Sequence, residues 1–382
     1  MSLLPKIYQK SLKKCLSYLI HWPLIYWQNR KLNKVVVNLV SLLALGLTTA
    51  WGIGQWYIYS QRTIPLSYGV SFVPDYAQSL GLNPKQTLTA LIKIGVRQFR
   101  LTSYWSDIQP LQGQYNFSQL DWEFAQANAV HAKIILTVGL RQPRWPECHA
   151  PNWINTTASM NHWEPQLLGF MTKVIDRYKN NSALEAWQLE NEYFLKGFGD
   201  CQNYSRSRLI TEYSLLKKLD PNHLIIVGRS NNALGFPVGK PTPNVFGISL
   251  YRRVWDEALT HRYLEYPFAP WFYAFMAGVQ ELYSHKNMII TEMQAEPWPP
   301  NSQSITQVSL QVQNQTLTAR RLKDRFSFAR ATGIKDVIMW GAEYWYYRKE
   351  ILHDPSVWNV AKQEFKANHY HDGQQLLTQS RH

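Results

Sequence analysis

Two apolar runs in this sequence each lead to a glutamate, and the two glutamates lie far apart along the chain. The stretch 187–193 reads Trp-Gln-Leu-Glu-Asn-Glu-Tyr, and the stretch 288–292 reads Met-Ile-Ile-Thr-Glu. Both patterns predict a buried strand that ends beside a carboxyl group. Two carboxyl groups facing each other across one pocket can cleave a glycosidic bond, one as proton donor and the other as nucleophile. Glu192 and Glu292 are therefore the candidate catalytic residues.

Each candidate has a neighbouring alternative. Glu190 has the same strand parity as Glu192, but only Glu192 follows an asparagine directly, which favours Glu192. Glu296 competes with Glu292 but lies four residues further into a loop. Glu296 and Glu343 are also candidates for contacts with sugar hydroxyls.

Short apolar runs alternate with helical patterns along most of the chain, which indicates βα units. The predicted strands are 68–72, 96–101, 133–138, 184–189, 223–227, 245–250, 288–291 and 337–339. The predicted helices are 83–94, 117–132, 165–178, 207–219, 271–284, 317–331 and 356–366. Eight strands separated mainly by helices predict an α/β fold, a (β/α)8 TIM barrel. An open doubly wound sheet is the alternative, disfavoured because no glycine-rich phosphate loop follows the first strand.

Polar and aromatic residues follow several of these strands, at the barrel edge where catalytic groups lie. Arg100 follows the second strand, Tyr251 the sixth and Trp340 the eighth, while Arg141 and Arg144 lie in the loop after the third. An arginine and a tyrosine hydroxyl can orient an ionised nucleophile. A tryptophan can form the floor of a sugar site, and an amide can hold a sugar hydroxyl. The proton donor needs a raised pKa, which a neighbouring negative charge supplies.

A longer motif follows the second strand and carries a family resemblance. It consists of Arg100-Leu-Thr-Ser-Tyr-Trp105-Ser-Asp-Ile-Gln-Pro110, then Gly113-Gln-Tyr-Asn-Phe117 and Leu120-Asp121. With the Asn-Glu pair after strand four, it resembles the retaining (β/α)8 glycoside hydrolases of the large clan that contains cellulases, mannanases and thermophile-type β-galactosidases. The resemblance covers roughly residues 67–350.

That resemblance implies a role for each matching residue. Asn191 would hold the sugar 2-hydroxyl, Glu192 would be the acid/base and Glu292 the nucleophile, while Tyr251 and Trp340 match substrate contacts. The histidine that the clan often has beside the acid/base or after strand six is not found here, and Tyr193 follows Glu192 directly. The subfamily and its substrate therefore stay open.

Further substrate contacts are predicted on the same loops. Arg100, Glu296, Trp298 and Trp105 complete the expected binding set, and Arg100 has the alternative role of a structural salt bridge at the barrel end. The loop tryptophans are candidates for stacking on sugars or for packing beneath loops: Trp105, Trp145, Trp153, Trp298 and Trp345. No metal is expected, because His149 beside Cys148 has no second ligand at metal spacing. The proposed chemistry needs no cofactor.

The amino-terminal part predicts a membrane anchor. Residues 35–59 carry no charge and are long enough to span a bilayer, and seven basic residues precede them. The positive-inside rule then puts residues 1–34 in the cytoplasm and the rest outside the plasma membrane, as a single-pass signal anchor. A linker at 60–66, a catalytic barrel at 67–368 and a polar tail at 369–382 complete the predicted organisation. A cleaved signal peptide is the alternative.

Charge and cysteine content agree with this topology. The formal net charge is +14, but half of it belongs to the segment before the apolar run. No basic stripe remains to indicate nucleic-acid binding. Cys148 and Cys201 would both lie outside the cytoplasm, where they are a possible disulfide or a pair of free thiols.

The sequence therefore predicts a membrane-anchored β-glycosidase that retains configuration. Its partners would be an oligo- or polysaccharide and the lipid bilayer, with no identifiable obligate protein partner. The carboxyl groups of Glu192 and Glu292 should lie about 5–5.5 Å apart. A non-hydrolytic carbohydrate-binding or polysaccharide-assembly protein on the same scaffold is the alternative function, as is a transglycosylase.

Overall fold

A computed structural model describes residues 31–195, 199–200, 204–230 and 239–367. The chain divides into two compact units, Met1–Ile53 and Gly54–His382. The predicted tail at 369–382 and most of the predicted cytoplasmic segment lie outside the described residues.

Helix α1 runs from Lys31 to Ser60. From Lys34 to Ser60 it is long and apolar enough to cross a membrane, judged by length and composition. The second compact unit begins inside this predicted span, at Gly54. Tyr57, which belongs to the predicted span of residues 35–59, is buried in the hydrophobic core of that unit.

The second unit is a closed parallel barrel of eight strands. Its strands are β1 Ser67–Ser71, β2 Gln98–Leu101, β3 Lys133–Val138, β4 Leu184–Leu189, β5 Leu224–Ser230, β6 Val245–Leu250, β9 Asn287–Gln294 and β10 Asp336–Trp340. Hydrogen-bonded neighbours follow the order β1-β2-β3-β4-β5-β6-β9-β10, and β10 pairs with β1. The predicted TIM barrel is confirmed, and the open-sheet alternative is wrong.

Helices return the chain between the strands. They are α2 Pro74–Ser79, α3 Pro84–Lys93, α4 Trp105–Ile108, α5 Ser118–Ala129, α6 Met160–Tyr178, α7 Arg206–Leu219, α8 Pro270–Ser284, α9 Leu310–Gln313, α10 Ala319–Ala331, α11 Ala342–Glu350 and α12 Ser356–Ala367. α6 begins before Pro165, where the sequence had placed its start. An antiparallel hairpin of β7 Arg253–Asp256 and β8 Arg262–Glu265 follows β6 and was not predicted.

A small apolar cluster lies inside the barrel. Its residues come from six strands: Ile135, Ala186, Ile226, Val245, Ile289 and Ile338. A larger apolar cluster lies between the strands and the surrounding helices. Branched and small side chains are what the interior of an eight-stranded barrel accommodates.

A β-bulge in β9 sets the direction of Glu292. Ile289 points into the barrel, so strict alternation would turn Glu292 outward. The pairing of β6 with β9 shifts register between Ile248 and Ser249, and Ser249 is then opposite Glu292. Ser249 has the inward parity of Val245. The extra residue therefore turns Glu292 to the barrel interior, as bulges do beside active sites.

Candidate active site

Glu292 lies buried at the carboxyl end of the barrel between two hydrogen-bond donors. Arg100 Nη1 lies 2.8 Å from Glu292 Oε1, and the Tyr251 hydroxyl donates to Oε2 at 2.6 Å. Burial and the nearby charges of Glu292 and Glu192 raise the pKa of Tyr251 well above its ordinary value, so this tyrosine remains a donor. The two donors match the lone pairs of a carboxylate and fix its orientation.

Arg100 connects three strands at this edge. Its Nε donates to Gln188 Oε1 and its Nη2 to Asn191 Oδ1, both at 2.7 Å, while Nη1 bonds Glu292. The guanidinium is fully buried. Arg100 is thus the buried ion pair that the sequence gave as an alternative, and that ion pair is part of the candidate site.

Asn191 is held by a carboxyl group that sequence reasoning missed. Asn191 Nδ2 donates to Glu147 Oε2 at 3.0 Å. Burial, with the charges of Glu192 and Glu292, raises the pKa of Glu147 well above its ordinary value. Glu147 lies in the long loop after β3, where neither periodicity nor a strand end marks it. Its only sequence signal is an acid close to Arg141 and Arg144.

Glu192 is brought to the same pocket. It is buried, and its backbone φ of +40° lies in the left-handed region that favours glycine. Its negative charge, like that of Glu292, raises the pKa of Tyr251 and of Glu147. The structure therefore brings Glu192, Glu292, Asn191 and Tyr251 together, and adds Glu147 to them.

Glu190 has a different environment. Its carboxylate accepts hydrogen bonds from the backbone N–H groups of Leu140 at 2.7 Å and Arg141 at 2.9 Å, and from Arg208 Nη1 at 2.8 Å. Gly139 has a φ of +119°, and a Cβ atom there would lie 2.5 Å from Glu190 Oε1. Both carboxylate oxygens of Glu190 therefore accept hydrogen bonds from within the protein. These bonds hold the loop after β3 against the end of β4.

Replacing Glu190 with glutamine is expected to lower the free energy of unfolding by about 3 kcal/mol, since it leaves the buried Arg208 with less compensation. Urea denaturation measures this change. Glu350→Gln is the matched control, because Glu350 forms an exposed pair with Lys349 and its loss should leave the midpoint unchanged. An unchanged urea midpoint for Glu190→Gln would contradict this structural role.

Arg144 lies over the tryptophan that was expected to form the sugar floor. Its Nη1 and Nη2 each donate to Glu296 at 2.9 Å. Its Cζ lies 4.3 Å from the ring centroid of Trp340 and 3.2 Å from that of Tyr76. Glu343 Oε2 lies 3.9 Å from Nη2. Glu296 is thus in the site, and its charge contributes to the raised pKa of the neighbouring Tyr76.

The environment of Glu343 predicts that stability depends on pH. Burial raises its pKa to about 7, although the charge of Arg144 lowers it, and the Val73 N–H donates to its Oε1 at 2.6 Å. A carboxyl group with a raised folded-state pKa binds its proton more tightly when folded. Its stabilisation is present below the unfolded pKa and is lost as the pH rises through the folded value.

Glu343→Gln should therefore remove this dependence. Relative to the variant, the unchanged protein should lose about 3 kcal/mol of unfolding free energy as the pH rises from about 4.5 to about 7. Thermal or urea unfolding of both proteins across this range measures the difference. Parallel stability curves would show that Glu343 does not titrate there.

The aromatic candidates separate into two groups. Trp298 is half-buried and meets Tyr251 edge to face at a centroid distance of 5.3 Å, so it borders the site. Trp105 is 0% exposed, stacks on Phe170 and donates from Nε1 to Gln109. As the first residue of α4, Trp105 turns its ring into the core, and its contact with substrate stays a prediction.

The remaining predicted features are structural. Cys148 is disulfide-bonded, and Cys201 lies outside the described residues. The His149 ring stacks on Tyr104 at a centroid distance of 3.6 Å, and burial lowers its pKa to about 4. Among the residues that the structure describes, no group of three histidines, cysteines or acids could hold a metal ion.

Comparison with known proteins agrees with this geometry. Residues 83–223 match the model of a β-galactosidase family, glycoside hydrolase family 42. The β-galactosidase BgaA of Clostridium cellulovorans is 28% identical over 153 residues, which are 34% of this chain and 23% of that protein. The chain thus aligns with about a quarter of that relative.

Solved structures share the barrel. A β-galactosidase from the Antarctic haloarchaeon Halorubrum lacusprofundi superposes with a TM-score of 0.51 at 12% identity, covering 81% of this chain and 59% of that one. An exo-β-1,4-mannosidase from Opitutaceae bacterium strain TAV5 gives 0.50 at 13% identity, covering 79% and 60%. At these identities the likeness shows the fold.

Fold and family match together support a glycoside hydrolase. The resemblance to the (β/α)8 glycoside hydrolases that the sequence motifs indicate is confirmed, by the β-galactosidase family match over residues 83–223 and by the closed barrel that follows the amino-terminal helix.

Proposed function

We propose that this protein hydrolyses a β-glycosidic bond with retention of configuration. One observation carries the proposal: Arg100 and Tyr251 orient Glu292, and the negative charge of Glu192 contributes to the raised pKa of the same tyrosine. A pair of carboxyl groups in one pocket, one of them oriented by fixed donors, is the arrangement that double displacement requires.

The reaction would proceed in two steps. Glu292 attacks the anomeric carbon while Glu192 protonates the leaving oxygen, which gives a glycosyl-enzyme. Glu192 then removes a proton from water as the water attacks, and Glu292 leaves with its original charge. Asn191 uses one amide N–H for Glu147, and we assign the other N–H to the sugar 2-hydroxyl. Tyr251 stays protonated throughout and holds Glu292.

A β-galactoside is the first substrate to test. The matching family model and the relative from Clostridium cellulovorans are both described as β-galactosidases. The mannosidase among the structural neighbours makes a β-mannoside the second choice.

The stereochemistry of the first product tests the mechanism. Proton NMR of fresh hydrolysis of p-nitrophenyl β-galactoside should show the β-anomer of the free sugar before mutarotation. The α-anomer as first product would indicate inversion. A panel of aryl β-glycosides that all remain intact would contradict the proposed activity.

One observation favours a non-hydrolytic carbohydrate-binding role as a second candidate. The Arg144 guanidinium lies 4.3 Å over Trp340, where stacking on a sugar ring was expected. Binding of polysaccharide that survives Glu292→Gln, without turnover of any aryl glycoside, would support this role.

We further propose that the protein is a single-pass membrane protein with its amino terminus in the cytoplasm. Seven basic residues precede the apolar helix, which favours this orientation. The disulfide at Cys148 supports an oxidising location for the barrel. The full chain should float with membranes, and protease should digest the barrel from the outer side only. Recovery of a soluble, shortened protein would instead indicate a cleaved signal peptide.

A further inference from the structure

The chain joins the barrel at the edge that carries the candidate active site. A Cβ atom at Gly54 would lie 2.7 Å from Trp271 O and 3.3 Å from Phe275 N, so the helix packs there against the first turn of α8. Further along, Gln61 Nε2 donates to Glu281 at 3.2 Å, near the end of α8. α8 returns the chain from the carboxyl edge of the barrel to the start of β9. Its first turn therefore lies at the site edge.

The apolar residues that precede Gly54 are long enough to cross a bilayer. Residues 34–53 precede Gly54 within the apolar helix. A helix of about 20 residues is what the hydrocarbon core of a bilayer requires. Gly54, the first residue of the second unit, lies at the edge that carries the site.

A cluster of three arginines lies on α10 and in the loop after β6. Arg325 is 4% exposed, and within the described residues its Nε and Nη2 have no hydrogen-bond partner. Burial and repulsion by Arg252 and Arg321 lower the pKa of Arg325 to about 10, while Glu265 and Asp324 oppose this change. A buried cation with two cationic neighbours favours an added anion.

The cluster is anchored and also accessible. Arg252 donates to Phe268 O at 2.7 Å and its Cζ lies 4.2 Å over the Phe328 ring of α10, so it is fixed between two elements. Arg321 is half-buried on the same helix, so part of its side chain is open to solvent. Arginine guanidinium groups pair with phosphate through parallel hydrogen bonds.

Exposed apolar side chains occur at both barrel edges. Leu259, at the tip of the β7–β8 hairpin beyond the site edge, is 87% exposed. Tyr283, near the end of α8 at the opposite edge, is 79% exposed. Exposure therefore does not distinguish the two edges, whereas the position of Gly54 and of the arginine cluster does.

We propose that the site-bearing edge of the barrel rests on an anionic bilayer surface, with Arg252, Arg321 and Arg325 binding a lipid phosphate. The pocket would then act on glycosides that are carried by membrane lipids. The inference rests on the proposed glycosidase activity and membrane anchor.

A first experiment measures which edge faces the bilayer, independently of activity. The full chain is reconstituted in vesicles of equal parts phosphatidylcholine and phosphatidylglycerol, with a nitroxide at Leu259→Cys or Tyr283→Cys in a Cys15→Ser background. The label at position 259 should be the more accessible to membrane-dissolved oxygen and the less accessible to a water-soluble nickel complex. The reverse order, or equal accessibility at both positions, would overturn the proposal.

A second experiment measures the consequence for substrate. Arg321→Glu should slow hydrolysis of a β-galactosyl diacylglycerol in these vesicles by about tenfold, since the change removes an attraction to anionic lipid and adds a repulsion. Turnover of soluble p-nitrophenyl β-galactoside should stay unchanged. Arg320→Glu is the matched control, because Arg320 is exposed on the same turn outside the cluster. Equal effects of the two variants, or an equal effect on both substrates, would contradict lipid binding by the cluster.

The two proposals fail differently. If wild-type protein hydrolyses neither substrate, the glycosidase proposal fails while the nitroxide measurement still reports the orientation. If Arg321→Glu weakens binding of inorganic phosphate but leaves hydrolysis of the lipid substrate unchanged, the arginines bind free phosphate and the docking proposal fails. If the full chain does not float with the vesicles, the membrane anchor fails.

Discussion

Glu292→Gln is expected to reduce turnover of an aryl β-glycoside by at least about ten-thousandfold, the scale on which loss of a catalytic nucleophile acts. The amide keeps the size of the side chain but cannot attack the anomeric carbon. Steady-state kinetics with p-nitrophenyl β-galactoside measures the loss, and circular dichroism checks that the fold is intact.

Glu296→Gln is the matched control for this experiment. Glu296 lies on the same segment and forms a bidentate pair with Arg144. Its loss should weaken substrate binding without abolishing turnover. Retention of more than about a tenth of the activity by Glu292→Gln would remove Glu292 from the role of nucleophile, since a nucleophile contributes far more than one substrate contact.

A smaller variant at the same position gives a positive test. Glu292→Gly leaves space where the carboxylate was, and added azide can attack the anomeric carbon from that side. A β-glycoside should then yield the α-glycosyl azide, because one displacement inverts configuration. A β-glycosyl azide would instead place the attack on the face of the leaving group.

Glu192→Ala should produce a loss that depends on the leaving group. Proton donation typically contributes about a hundredfold to ten-thousandfold, and it is needed most when the leaving oxygen is basic. Cleavage of an alkyl β-glycoside should therefore fall by the larger factor. The first step with a 2,4-dinitrophenyl glycoside should change little, since that leaving group needs no proton. Pre-steady-state release of the phenolate measures this step.

Glu190→Gln distinguishes the two neighbouring acids. Glu190 is bound by Arg208 and two backbone N–H groups, so its replacement should lower stability and affect all leaving groups alike. A leaving-group dependence in Glu190→Gln, and none in Glu192→Ala, would exchange their roles.

The sequence predicted the barrel because its strands and helices have different hydrophobic periods. It also predicted which strand ends meet, since parallel strands place their carboxyl ends at one edge. The exact direction of Glu292 was beyond this reasoning. Alternation from Ile289 turns that residue outward, and the bulge that reverses it depends on pairing with β6.

Loop residues were the hardest to predict. Glu147 and Arg144 both have positive φ and belong to the loop after β3, whose shape depends on contacts with distant segments. Glu190 fixes the start of that loop. Trp105 looked like a loop aromatic, but the short helix α4 buries it. The shape of these loops and the burial of their side chains depend on tertiary packing, which a local sequence pattern does not predict.

The amino-terminal helix shows the same limit. Its length and composition predicted a membrane span, and nothing in the pattern indicated that its last turns pack on protein. Tyr57 enters the core and Gly54 meets the backbone of α8 closely. Contacts between segments far apart in the chain decide where such a span ends.

Double displacement requires that Glu292 forms a covalent bond with the sugar. A 2-deoxy-2-fluoro β-galactoside with a dinitrophenyl leaving group should trap this intermediate, because the fluorine slows its hydrolysis more than its formation. Peptide mass spectrometry should then find one added fluorosugar on the peptide that contains Glu292. A label on Glu296, Glu190 or Glu192 instead, or release of dinitrophenol without any covalent adduct, would exclude Glu292 as the nucleophile.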